Sequence, residues 1–101
     1  MPNMSLKEEA KRWQVRASHV FSLGLYKLCV QCVNLGLKYT PVESKQTFSR
    51  FLCQRSEAEQ QLGDYVRGLE DARSALKMTS ELLEVIKTKL FFFTQSVNFT
   101  G

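Results

Sequence analysis

Cys29-Val-Gln-Cys32 carries the most direct chemical suggestion in this sequence: two thiols three residues apart, with Cys53 and His19 as further donors. Four such groups are what a tetrahedral zinc ion takes. Zinc sites of this type are built from two complete pairs, however, and the second pair here is a lone cysteine and a lone histidine. Redox use of the same motif needs a thiol at a helix start, where the pKa falls. The flanking apolar spacing places this pair in mid-helix instead. Three cysteines behind "MPNMSLKEEAKRW", which has no apolar leader, predict reduced thiols and an unglycosylated Asn98-Phe99-Thr100. Neither metal nor cofactor is expected.

Other chemistry is thinly represented. His19 is the single histidine and has no Asp at helical-neighbour spacing to orient it as a base. Asp64, Glu70 and Asp71 read as helix capping, dipole compensation and solvation. Phosphate loops, dinucleotide fingerprints and nucleophile elbows are missing from the sequence. The expectation is a protein that is not an enzyme.

Fourteen Lys and Arg against ten Asp and Glu give a net charge of +4. The cations are dispersed, apart from Lys7, Lys11, Arg12 and Arg16. Trp13 between Arg12 and Arg16 offers charge and a stacking ring, the minimum for an RNA-binding helical module, which strong salt dependence of binding would reveal. Trp13 fits better as a bulky core residue. The longest apolar runs, "VFSLGLY" and "LFFF", are too short to span a bilayer. A cytoplasmic protein that does not enter membranes is therefore expected.

These residues need elements to position them, and the elements read as helices. Ser5-Leu-Lys-Glu8 has the capping-box form, and Ala10, Trp13, Ala17, Val20 and Phe21 follow at three- and four-residue steps until Gly24. Tyr26, Cys29, Val30, Val33 and Leu37 form the inner side of a second helix that ends near Tyr39. Thr40-Pro41-Val-Glu43 predicts the start of a third, running to about Leu62. After Gly63, Asp64 caps a fourth with Tyr65, Leu69, Ala72 and Leu76 as its apolar face, and Thr79-Ser80 opens a fifth. The fold class predicted is all-α.

Leu-Gly-x-Tyr occurs twice, at Leu23-Gly24-x-Tyr26 and Leu62-Gly63-x-Tyr65, thirty-nine residues apart. Aligning the glycines matches large with large (Trp13, Leu52) and small with small (Ala17, Ser56; Cys29, Gly68; Val33, Ala72; Gly36, Ala75), with Leu37 and Leu76 following. Small residues on one helix admit bulky ones from the next, so antiparallel helices pack closely where they alternate. This order resembles the tetratricopeptide repeat, and "FLCQRSEAEQQLGDYVRGLEDARSALKM" is similar to second repeats of co-chaperone-type domains in particular. The first copy covers about 10–43, the second about 49–80, and a terminal helix about 80–97, making one domain of helix hairpins over 1–101. The copies depart from the family in Glu59 and Gln60 for Val20 and Phe21, in Ser80 for the closing proline, and in spacing, which demands an extra turn or loop near "VESKQTF".

The resemblance implies a superhelical array whose leading helices line a concave groove for a peptide or helix of another protein, a non-catalytic adaptor. By repeat position the groove wall comprises Lys11, Gln14, Ser18 and Phe21, then Arg50, Cys53, Gln54, Glu57 and Gln61. It also implies a second reading, a co-chaperone clamping acidic C-terminal tails of heat-shock chaperones with Lys and Asn. Those clamp positions fall on Gln14, Ser18, Gln54, Glu84 and Thr88, none of which matches, and Glu84 would repel a carboxylate. Docking in the groove requires the leading helices to lie side by side and Tyr26 and Tyr65 to sit in the seams between helices. The greasy "KLFFFTQSVNFTG", with Phe91, Phe92, Phe93, Val97 and Phe99, covers more than one side of a helix; it predicts a cap, a partner contact or self-association, and suggests a shortened relative of a longer repeat protein.

Overall fold

The structure, a computed structural model, describes residues 5–100, with side chains through Gln95. Four α-helices run in order: α1 (Leu6–Ser22), α2 (Tyr26–Lys38), α3 (Lys45–Gln61) and α4 (Tyr65–Thr100). There is no strand among the described residues. Ser5 caps α1 through a 3.2 Å bond from the Glu8 amide to its hydroxyl, with Glu8 and Glu9 in the first turn complementing the dipole.

The second hairpin repeats the leading-helix length and the bend of the first. α1 and α3 each have 17 residues, and both hairpins recur at the spacing of the glycines, Leu6 with Lys45 and Tyr26 with Tyr65. Gly24 and Gly63 adopt φ 78° and 81°, left-handed conformations that cost a side chain strain. Each closes the same C-terminal motif. The Gly24 amide donates to Phe21 O at 2.9 Å and the Leu25 amide to Val20 O at 2.9 Å; Gly63 donates to Gln60 O at 3.1 Å and Asp64 to Glu59 O at 2.8 Å. Two otherwise unsatisfied carbonyls per helix find donors this way, and the chain reverses in three residues.

α2 packs on α1 and α3, α3 on α4, and α1 touches α3 directly, so two hairpins stand side by side with their leading helices adjacent. Ala10, Ala17, Cys29, Val33, Phe51 and Ala58 are buried in one core, with Trp13 and Leu37 against it. Gly36 is the small-for-large exchange at its tightest: a Cβ there would drive into the Phe51 ring edge and reach Trp13 Cβ.

Three expectations are corrected. Thr40-Pro41-Val-Glu43 starts no helix: Thr40 finishes α2, its hydroxyl donating to Gly36 O at 2.9 Å, and residues 39–44 form the extra loop that lengthens the repeat. Thr79-Ser80 opens no fifth helix either. Thr79 turns its hydroxyl back to Ala75 O at 2.9 Å, the bond of a residue inside a helix, and α4 runs unbroken for 36 residues. Third, Tyr65, Leu69 and Leu76 are exposed, with Tyr65 70% accessible, whereas α4 buries Gly68, Asp71 and Ala75 against α3. Tyr26 keeps its seam by meeting Phe21 edge-on, centroids 5.2 Å apart; the equivalent of Phe21 is Gln60, which offers Tyr65 no ring.

From Leu83 to Gln95 every side chain of α4 is exposed, and the molecule measures 56 × 41 × 21 Å. Phe91, Phe92 and Phe93 lie on this free stretch, Phe91 and Phe92 edge-to-face at 5.9 Å. The side chains of Val97 and Phe99, and the Asn98 sequon, fall outside the described side chains.

Candidate functional site

The face where α1 meets α3 carries an open depression of about 640 Å³. Gln14 and Ser18 come from α1 and Arg50, Cys53 and Gln54 from α3, all of them groove residues expected from repeat position. Val15, Ser49 and, from α4, Thr79 complete the lining. Repeat position alone does not single these three out, because they flank the expected wall. A smaller recess of about 110 Å³ continues the face along Ser18, Phe21, Gln54 and Glu57, with Cys29 and Ala17 at its base. Lys11 lies on the adjoining outer side of α1, with Glu8, Arg12, Val15 and Arg16, and Gln61 is exposed and lines neither hollow.

Gln54 holds the two leading helices together. Its side-chain amide donates to Gln14 O at 3.1 Å and to Ser18 Oγ at 2.8 Å. Its Oε1 is buried without a protein donor among the described residues. Arg50 and Cys53 are exposed on the wall, so the hollow offers a cation, a free thiol, amides and the exposed Val15 methyls. Such a surface suits hydrogen bonding to an extended backbone, together with one apolar contact.

A second constellation joins α2, α3 and α4. Arg55 makes a bidentate pair with Asp71, Nε to Oδ2 and Nη2 to Oδ1 both at 2.7 Å, and its Nη1 donates to Asn34 Oδ1 at 2.9 Å. Burial raises the Asp71 carboxyl, but hydrogen bonds from Arg55 and Glu59 outweigh it and hold it below the usual range. Glu59 is pushed up to about 7, by burial first and then by its hydrogen bond with and proximity to Asp71. Asp71 is therefore part of a buried lock between helices, which corrects its reading as a solvated capping acid. The signal lay in the repeat: Asp71 occupies the place of buried Cys32, and Glu59 that of Val20.

The thiol motif is shielded. Cys29 and Cys32 are buried, and burial pushes the Cys29 thiol up to about 11 and raises Cys32, with Arg16 pulling the latter partly back. Among the described residues no group of three or more His, Cys, Asp and Glu side chains is arranged to hold a metal ion. Trp13 is half-buried against the core, with the Arg16 guanidinium 4.8 Å over its ring. No helix among the described residues is long and apolar enough to cross a membrane. No protein family, curated protein or solved structure matches the chain.

Proposed function

We propose that the protein is a non-catalytic adaptor that holds an extended segment or helix of another protein against the α1–α3 face, in the manner of a tetratricopeptide repeat. One observation carries the reading: α1 and α3 lie side by side, and five of the nine residues chosen by repeat position line a single depression there. Of the two conditions for docking, the adjacency of the leading helices is met and the seam position of Tyr65 is not, so the adaptor reading rests on the α1–α3 depression and not on the second tyrosine. Gln54, bonded to Gln14 and Ser18, and Arg55, bonded to Asn34, tie the second hairpin to the first, so the surface is preformed and a ligand need not order it.

Selection of peptides from a display library on the immobilised protein, followed by affinity measurement against two variants, tests this. Cys53→Trp fills the hollow, and Lys27→Trp places the same bulk on the exposed side of α2. Selected peptides are expected to lose binding to Cys53→Trp and keep it for Lys27→Trp. Equal binding to both variants contradicts the assignment.

A further inference from the structure

Leu69, Leu76, Leu83 and Leu90 recur at intervals of seven along α4, and all four are exposed. Three residues after each stand Ala72, Thr79, Ile86 and Phe93, likewise exposed. Alternating steps of three and four over this length are the a and d positions of a coiled-coil heptad, with leucine at every a. The stripe lies roughly a third of a turn around the helix from the Gly68–Asp71–Ala75 face that packs on α3. Among the described residues α4 packs on α3.

The first hairpin shows what such a face is for. Thirty-nine residues before Leu69, Ala72, Leu76 and Thr79 stand Val30, Val33, Leu37 and Thr40. Val33 and Thr40 are buried, and Val30 and Leu37 pack on the core that contains Phe51 of α3. In α2 this face is covered by helices, and in α4 nothing among the described residues covers it.

Two arrangements of a second copy present a helix to it. Head-to-tail stacking would lay α1 of one copy over α4 of another, as α3 lies over α2. The α1 residues equivalent to Phe51 and Arg55 are Arg12 and Arg16, exposed cations ill-matched to a leucine stripe, and such a contact would repeat without closing. Pairing α4 with α4 is self-complementary and closes at two chains. Direction follows from the charges. An antiparallel pair aligned over the whole stripe sets Arg73 against Lys87 of the other copy at both ends, whereas a parallel pair sets these cations beside Gly68 and Leu82. α3 occupies one flank of each stripe and leaves room for a single added helix. The six large side chains of the stripe, Leu69, Leu76, Leu83, Ile86, Leu90 and Phe93, expose 44–68% of their surface, so the seam offers roughly 600 Å² per chain, the lower end of what each partner contributes to a specific interface.

We propose that the leucine-spaced stripe of α4 is the seam of a parallel two-chain coiled coil between two copies of this protein. It leaves the α1–α3 faces open, so the dimer would present two docking sites. Sedimentation equilibrium of the full chain tests it. A monomer–dimer equilibrium is expected, and Leu76→Glu with Leu83→Glu is expected to raise the dissociation constant by about a hundredfold or more, because central apolar anchors dominate such seams. Ser74→Glu, on the outer side of α4, is expected to leave it unchanged, and circular dichroism of all three proteins at monomeric dilution is expected to coincide. With the exposed native thiol removed by Cys53→Ser, Ala72→Cys is expected to cross-link to itself on oxidation, which the parallel register allows and the antiparallel one aligned over the whole stripe does not. A monomer at every concentration, growth beyond two chains, or a dimer indifferent to the two glutamates overturns the proposal. An uncross-linked Ala72→Cys dimer overturns its direction.

Discussion

Glu59 makes stability fall as pH rises through neutrality, a direction opposite to that of a salt-bridged carboxylate. Its side chain is 6% exposed, and its pKa is pushed up to about 7 by burial and by Asp71. In the unfolded chain it ionises near 4.5. Between those values the native state holds a proton that the unfolded state has lost, so each step up in pH favours unfolding. At about 1.4 kcal/mol per unit, the loss from pH 5 to pH 8 is on the order of 2–3 kcal/mol. Asp71 does not offset it: its pKa is lowered, so it is ionised in both states across this window and its contribution is flat. Cys29 and Cys32 titrate above the window. Glu59→Gln keeps the shape and a donor toward Asp71 but removes the titration. Urea unfolding followed by Trp13 fluorescence, at one fixed concentration and at pH 5, 6, 7 and 8, is expected to show wild-type stability falling and the variant nearly level, with the variant ahead at pH 8. A wild-type midpoint that is flat or rising over this range, or a variant with the same slope, refutes the reasoning.

Gly24→Ala and Gly63→Ala are each expected to destabilise by roughly 1–2 kcal/mol and by similar amounts, since both place a Cβ in the same left-handed turn; unequal losses in denaturant melts would show that the bends are not equivalent. Gly36→Ala forces a methyl into the Phe51 ring and is expected to cost about 1–3 kcal/mol, with Phe51→Leu restoring part of it in the double variant. Asp71→Ala leaves the partly buried Arg55 with Asn34 and Glu59 as its remaining partners and is expected to cost about 1.5–3 kcal/mol, the range for hydrogen bonds to a charged group, read as a lower urea midpoint at pH 7. Under native conditions a thiol reagent is expected to modify Cys53 quickly and Cys29 and Cys32 only on unfolding, as mass spectrometry of labelled peptides would show.

The hairpins were legible because local signals agree with packing. Ser5 at a helix start, glycine at each reversal and small residues opposite Trp13 and Phe51 act over a few residues or in a repeated register. α4 was misread because its face depends on a neighbour: the apolar spacing of Tyr65, Leu69 and Leu76 is real, but α3 takes the smaller Gly68 and Ala75 and leaves that stripe uncovered. Thr79-Ser80 carries a start signal that a helix already under way ignores, since the threonine hydroxyl satisfies itself on Ala75. At the candidate site, repeat position found Gln14, Ser18, Arg50, Cys53 and Gln54, but not that Gln54 spends its amide on α1. It also put Lys11 and Gln61 on the wall, whereas they lie at the margins of the face.

The adaptor reading is tested most directly by backbone amide chemical shifts of the isotopically labelled protein on titration with a peptide selected against it. The largest changes are expected at Gln14, Ser18, Arg50, Cys53 and Gln54, where the two leading helices adjoin. Changes centred on Leu69, Leu76 and Leu83 of α4, with the α1–α3 residues unmoved, would contradict it.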